Sequence, residues 1–259
     1  MFSPYGEILE NHLVEIQTPE GGLVSAFRYR QAHDDEQTMN LIDRQQRRLT
    51  RFNPDKLDNK SGAVSFWINA YNFFMLAWIL ENPLKDGAWV SSVKDYGSWF
   101  NPYRIFKQET FDIGGHKYSL DEIEKEILLG ETFREKGWKD ARVHFAVNCA
   151  SVGCPPLRSR IYTPDNLDAM LTENTRMALN TPRHIHIEGD TLYLTSLFDW
   201  YESDFVEEAG SVHEYLKRYL PEHQREAIEA VTSIRHIEYD WSLNEPANFP
   251  ELRQAGSIQ

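Results

Sequence analysis

An α+β fold, with a central buried helix packed on a small, mainly antiparallel sheet and further helices around it, is predicted by three observations. Residues 63–80 form a long stretch that is apolar almost all round, as a helix buried on most of its circumference requires. Two glycine-centred turns, Gly114-Gly115 and Glu188-Gly189-Asp190, each separate short strand-like segments in the manner of antiparallel hairpins. Helical and strand patterns do not alternate as repeated βαβ units would.

The elements follow in chain order. Tyr5, Ile8, Leu9, His12 and Leu13 keep the i, i+3, i+4 spacing of a first helix, ending near Gly21-Gly22. Residues 23–29 alternate like a strand, and 36–52 resume a helical rhythm through Met39, Leu41, Ile42 and Leu49. After the central helix, residues 83–107 carry Trp89, Tyr96, Trp99, Phe100, Tyr103 and Phe106 without periodicity, which predicts an ordered loop pinned by aromatic anchors and bordering a cleft. Ser119 with Glu122 makes a capping box that opens a helix through Leu129, directly after the Gly114-Gly115 hairpin.

Residues 143–147 read as a buried strand, and Thr163-Pro164 as an N-cap with proline in the first helical position. The apolar face of that helix is Leu167, Met170, Leu171, Ala178 and Leu179. Residues 184–187 and 191–194 flank the second hairpin turn, and Ser196 caps a helix bearing Phe198, Trp200, Tyr201 and Phe205. Helices over 213–220 and 222–231 and a strand over 234–241 complete the chain. We read residues 1–259 as a single domain, with a core over 5–205 and a helical and strand extension over 206–259.

Composition narrows the function classes. Hydrophobic residues make up 41% of the chain and aromatics 13%, enough large apolar surface for a substantial core, so wholesale disorder is not expected. Forty acidic against 27 basic residues give a net charge of -13, which opposes a phosphate backbone and an anionic membrane surface alike. Nucleic acid is therefore not an expected partner, and the polar Ser65, Asn69 and Asn72 within 63–80 argue for a core helix over membrane insertion. The N-terminus shows no secretory pattern, which makes the cytoplasm the expected compartment.

Chemistry concentrates where the expected strand 143–147 runs into Asn148-Cys149-Ala150-Ser151-Val152-Gly153-Cys154-Pro155-Pro156, a loop of small residues that cannot continue regular structure. Thiolate is the reactive form of cysteine, and a neighbouring base or amide dipole lowers its pKa, so Cys149 is a candidate nucleophile; a small buried hydrophobe is the plainer reading. His144 is the nearest base in sequence, but five residues along an extended strand separate it from Cys149 by about 16 Å on opposite faces, so a dyad requires the chain to turn. Read as a strand residue, His144 is a satisfied core histidine, and His116, His184, His186 and His236 are further partners that folding alone could bring close.

Asn69 and Asn72, three apart on the central helix, either orient a catalytic group or tie the helix to loops, and Glu122 and Glu124 divide between capping, solvation and acid/base work. Two cysteines at Cys149 and Cys154 fit no common zinc module and would close only a small loop if paired, so neither a metal nor a cofactor is expected.

Five separated segments occur in the order of a known family. They are Phe66-Trp67-Ile68-Asn69-Ala70-Tyr71-Asn72, Ser119-Leu120-Asp121-Glu122-Ile123-Glu124, His144-Phe145-Ala146-Val147-Asn148-Cys149-Ala150-Ser151, Cys154-Pro155, and Phe198-Asp199-Trp200-Tyr201-Glu202-Ser203-Asp204-Phe205. With them the chain resembles, over roughly residues 5–205, the family called domain of unknown function 547. The resemblance carries no settled reaction. It implies that bacterial relatives have His where this chain has Lys125, and that plant relatives keep the cysteine at Cys149 while having Ser near Cys154. That pattern makes Cys149 the better single candidate and argues against an obligatory disulfide. The succession of a central helix and later strands suggests a papain- or transglutaminase-like arrangement, although no cysteine stands at the helix start where papain-like enzymes place theirs.

The functional expectation is a cysteine-dependent hydrolase or acyltransferase acting on amide or peptide-like substrates. Cys149 is the nucleophile, His144 or another histidine the base, and Asn69, Asn72 or Glu124 the positioning or polarising group. The alternative is a non-catalytic scaffold that binds a protein or peptide through its aromatic surface. The partner in either case is a small molecule or peptide.

Overall fold

The computed structural model describes residues 1–254. Helix α1 (Ser3–His12) buries Tyr5, Ile8, Leu9 and His12, the i, i+3, i+4, i+7 face that the spacing predicts. It ends at His12, earlier than expected, because Val14 and Ile16 alternate with Glu15 and Gln17 and so favour an extended chain. The resulting β1 (Leu13–Gln17) pairs antiparallel with β2 (Leu23–Phe27), Leu13 opposite Phe27, and the Gly21-Gly22 pair belongs to their turn. Helices α2 (Tyr29–Asp34) and α3 (Glu36–Thr50) follow, the second capped by Asp35, whose carboxylate accepts from the Gln37 N–H.

The central helix α4 (Lys60–Glu81) begins where the Asn59 side chain accepts from the Gly62 N–H, and every residue from Ala63 to Ala77 is buried. By length and composition it could cross a membrane, yet 94% of its apolar window lies inside the protein. Its principal neighbours are helical, namely α2, the turn Glu122–Leu128 and α7 (described below). The expected sheet is divided into four small separate ones, and the helix packs on one of them as well as on helices: Phe74 stacks on Phe111 at 4.5 Å and Trp67 meets Tyr118 edge-on at 5.1 Å, both in the first predicted hairpin.

Between α4 and the first predicted hairpin the chain is more structured than an irregular loop. It forms a short pair, β3 (Leu84–Lys85) with β4 (Ala88–Trp89), a 3-10 turn at Val93–Tyr96 closed by a Ser92/Asp95 capping box, and α5 (Arg104–Lys107). Tyr96 and Phe106 are anchored, the Tyr96 hydroxyl donating to the Asn82 carbonyl at 2.9 Å, whereas Trp99 and Phe100 stand 93% and 94% exposed and anchor nothing. Strands β5 (Thr110–Ile113) and β6 (His116–Ser119) form the expected hairpin. Gly114 has φ +62 and presses against the Phe52 carbonyl, where a Cβ would collide.

Ser119 and Glu122 exchange the two bonds of a capping box, at 3.1 and 3.4 Å, but Glu122–Leu128 winds as a π-helix in which the Leu129 N–H reaches back to the Glu124 carbonyl. After α6 (Glu131–Glu135), the expected strand at 143–147 is a 3-10 turn, Ala141–Phe145, opened by the Asp140 carboxylate accepting from the Arg142 N–H. A short apolar run does not distinguish strand from turn by periodicity. Here the turn lies between two apolar clusters, with Val143 and Ala146 in the larger and Ala141 and Phe145 in the smaller.

Thr163 and Asn166 bond to each other in a turn that precedes α7 (Leu167–Leu179), so this helix starts at Leu167, later than the Thr163-Pro164 signal suggests. Strands β7 (Ile185–Glu188) and β8 (Thr191–Thr195) form the second predicted hairpin. Ser196 does not cap the next helix; its hydroxyl donates to the Ile237 carbonyl, and the helical region divides at Tyr201 into α8 (Leu197–Trp200) and α9 (Glu202–Ala209). Helices α10 (Val212–Tyr219) and α11 (Glu222–Glu229) cross over to β9 (Ser233–Ile237), which joins β8 in parallel.

The final strand thus stops before Tyr239. Residues 240–244 instead lace against 150–153, the Val152 and Gly153 N–H groups donating to the Ser242 and Asp240 carbonyls and the Asn244 N–H to the Ala150 carbonyl. A last helix, α12 (Pro250–Gln254), follows. Many helices with small, mainly antiparallel sheets make this an α+β protein. A papain- or transglutaminase-like arrangement is not confirmed.

Candidate functional site

The loop after Ala141–Phe145 is held from behind by asparagines. Asn72 on α4 donates from Nδ2 to the Ala146 carbonyl at 2.9 Å and accepts the Asn148 N–H at 2.8 Å. The Asn148 Nδ2 donates to the Pro155 carbonyl, and its Oδ1 accepts from the Ala150 N–H and from Asn244 Nδ2. Every one of these groups is buried, so each bond replaces a hydration shell the loop has lost. Ala150, directly after Cys149, sits at φ +60, a left-handed conformation that a residue with a Cβ adopts when its surroundings dictate it.

Cys149 and Cys154 are joined in a disulfide. The Cys149 N–H points at the Cys154 sulfur, 2.9 Å away, and the Tyr239 hydroxyl lies 3.1 Å from both sulfurs. Gly153 makes this approach feasible, because a Cβ there would press on the Tyr239 ring and the Asp240 nitrogen at about 3 Å. Burial, reinforced by the negative charges of Glu124 and Asp240, raises the Tyr239 phenol well above its ordinary range, so it remains a protonated donor.

The sulfurs open into a cavity of about 570 Å³ that also receives His144, Glu124 and Tyr201. His144 is 1% exposed. Its Nε2–H donates to Asp204 Oδ2 at 2.8 Å, since an ionised carboxylate can only accept, and its ring stacks on Tyr201 at 4.1 Å. Burial works to raise the Asp204 carboxyl, but hydrogen bonds from His144 and from Lys139, whose Nζ is 2.7 Å away, outweigh it and hold the carboxyl below its ordinary value. With Nε2 so engaged, the buried Nδ1 has no hydrogen-bond partner among the described residues.

Glu124, 8% exposed, accepts from the Tyr201 hydroxyl at 2.9 Å. Burial and then the Glu124 charge hold the Tyr71 phenol on α4 well above its usual range, which keeps it protonated beside the same carboxylate. Lys125, standing where the resemblance places histidine, also borders the cavity and is paired with Asp121 at 2.8 Å.

Of the residues singled out from sequence, Cys149, His144 and Glu124 therefore share one cavity, a meeting that an extended strand at 143–147 would have denied the first two. Asn72 stands behind the cysteine loop, and Asn69 is further off, exchanging bonds with the Tyr162 main chain at 2.7 and 3.0 Å; α4 reaches the cavity through Tyr71. His116, His184, His186 and His236 do not line it. Sequence reasoning missed Asp204, Tyr239, Trp200 and Trp241. The first and third sit in the Phe198–Phe205 motif as bare matches without a role, and the Tyr239-Asp240-Trp241 alternation signals only a strand.

Among comparisons with known proteins, residues 54–177 match a family model described as protein of unknown function, DUF547. No curated protein and no solved structure matches the chain. The matched stretch holds Glu124, His144, Cys149 and Cys154 but ends before Asp204 and Tyr239, and is shorter than the 5–205 span suggested by the motifs.

Proposed function

We propose that this chain, which belongs to the DUF547 family through residues 54–177, is a cysteine-dependent hydrolase or acyltransferase of amide or peptide-like substrates in its reduced form. The observation that supports this most is the convergence on one cavity of the Cys149 sulfur and of His144 backed by Asp204. That is the arrangement of a nucleophile, a base and a group that orients the base.

In the proposed cycle a dithiol reductant opens the Cys149–Cys154 disulfide, leaving two protein thiols and an oxidised reductant; a reducing compartment such as the cytoplasm would supply it. His144 Nδ1 takes the Cys149 proton, and the thiolate attacks the carbonyl carbon of the substrate. Collapse of the tetrahedral adduct breaks the carbon–nitrogen bond, the amine leaving with the proton from His144 and the acyl group remaining as a thioester. Water, deprotonated by His144, or an amine acceptor then releases the acyl group and restores the thiol. Tyr239, fixed as a donor beside the sulfur, stabilises developing negative charge, and Asp204 keeps the imidazole in the tautomer the first step needs.

Native protein reduced with dithiothreitol should be alkylated by iodoacetamide at Cys149 ahead of Cys154, and should form a Cys149 acyl-enzyme with an activated ester. The His144→Gln variant should lower the acylation rate by about 10²-fold or more. Preferential modification of Cys154, or no acyl-enzyme from the folded reduced protein, would instead favour a non-catalytic peptide-binding protein, a reading to which the exposed Trp99 and Phe100 lend support.

A further inference from the structure

The mouth of the cavity is an aromatic corner assembled from distant parts of the chain. Trp200, Tyr239 and Trp241 touch pairwise, with ring centroids 4.9 Å apart for Trp200–Tyr239, 4.6 Å for Tyr239–Trp241 and 5.9 Å for Trp200–Trp241, the last pair near-parallel at 23°. Tyr103 joins Trp241 at 5.1 Å. All four rings line the cavity, and Trp200 and Tyr103 remain 46% and 38% exposed, so ring surface is open at the entrance.

Apart from the rings the wall carries charged and titratable groups, Lys107, Asp121, Glu124, Lys125 and His144. Among the described residues the cavity has no Ser, Thr, Asn or Gln in its wall. Asp121 is paired with Lys125, Glu124 holds the Tyr201 hydroxyl, and the Tyr239 hydroxyl is spent on the sulfurs. Sugars also stack on tryptophan, but each buried hydroxyl then demands its own donor or acceptor, so an oligosaccharide is the competing probe. A planar aromatic group asks for no such partners. It gains from offset stacking on Trp200 and Trp241 and from the apolar Phe106, Val147 and Leu197 beside them.

We propose that this corner is the specificity subsite of the enzyme and takes an aromatic side chain next to the scissile amide, so that the substrate is an aromatic amino-acid amide or a peptide carrying one. This rests on the amide-cleaving reading for its chemistry, but binding can be read without it, because the oxidised protein has no free thiol. Three of the four rings come from outside residues 54–177, so the reacting groups and the selecting wall are contributed largely by different stretches of chain.

Saturation-transfer NMR on the oxidised protein, with N-acetyl-phenylalaninamide, N-acetyl-alaninamide and tri-N-acetylchitotriose as probes, tests the subsite. The phenylalanine amide should bind about tenfold more tightly than the alanine amide. Trp200→Ala should weaken it about fivefold to tenfold, and Trp200→Phe should restore most of the loss. Both variants change a half-exposed residue, and circular dichroism checks that they fold. Equal affinity for the two amides, tighter binding of the oligosaccharide, no saturable binding of the phenylalanine amide, or indifference to Trp200→Ala would each overturn the proposal. Absence of acyl-enzyme in the reduced protein, with ring selectivity intact, would remove the catalytic reading and leave the subsite standing.

Discussion

Two buried histidines show how environment, not residue type, assigns a role. His144 has a carboxylate on one nitrogen and a cavity beside it. His184 has no carboxylate partner among the described residues and borders only a crevice of about 10 Å³; burial, and then the positive charge of Arg183, lower its pKa from 6.5 to about 3. Its neutral form is the one the fold accepts, so between those values the unfolded chain binds the extra proton. Stability is then fully present above pH 6.5 and is lost as pH falls toward 3. Between pH 6.5 and 5 the loss should be about 2 kcal/mol, since each tenfold rise in proton concentration favours the protonated unfolded chain by about 1.4 kcal/mol. Urea titrations of wild type and His184→Gln at those two values should show a smaller decline in the variant, where His12, also lowered by burial, still contributes. Asp204 and the other carboxylates held below their ordinary range act in the same direction at lower pH, which is why the comparison stops at pH 5.

At the scale of elements, helix α4 supplies the frame rather than the chemistry. Asn72→Ala should leave the Asn148 N–H and the Ala146 carbonyl buried without partners, at a cost of about 2–4 kcal/mol. Asn69→Ala strips the Tyr162 main chain of its partners in the same way and should cost a similar amount. The two differ in reach. Alkylation of Cys149 in the reduced protein should change in Asn72→Ala, whose bonds hold the cysteine loop, and should stay at the wild-type rate in Asn69→Ala; equal effects would mean that α4 acts on the site through general stability alone.

For the whole molecule, the disulfide is a local closure in a large core. The bridged residues are five apart, and closing so short a loop contributes about 2 kcal/mol in the chain-entropy account. Reduction should therefore lower Tm by less than about 8 °C and leave the circular dichroism spectrum unchanged, as the thiol form of the proposed cycle requires. Unfolding on reduction at room temperature would contradict this and with it the cycle. The C-terminal stretch has the opposite standing. Read from sequence as an extension beyond residue 205, it buries Tyr215, Leu216 and Ile228 against Phe145 and Phe198, and it laces residues 240–244 to the cysteine loop.

The sequence by itself determined whatever is encoded within a few residues. The Gly114-Gly115 and Gly189 turns, the Ser119/Glu122 cap and the all-round apolar helix are stated by neighbours in the chain, and the loop from Asn148 to Pro155 declares itself by its breakers. The α+β class follows from these. Tertiary structure decided the remainder, because the deciding partners are far away. Residues 143–147 turn instead of extending since two separate clusters claim their side chains at helical spacing, Val143, Ala146 and Val147 in one and Ala141 and Phe145 in the other, a division that only the folded chain makes. His144 meets Asp204 across 60 residues and Cys149 meets Tyr239 across 90, so the base acquires its orientation and the sulfur its neighbour only when the chain closes on itself.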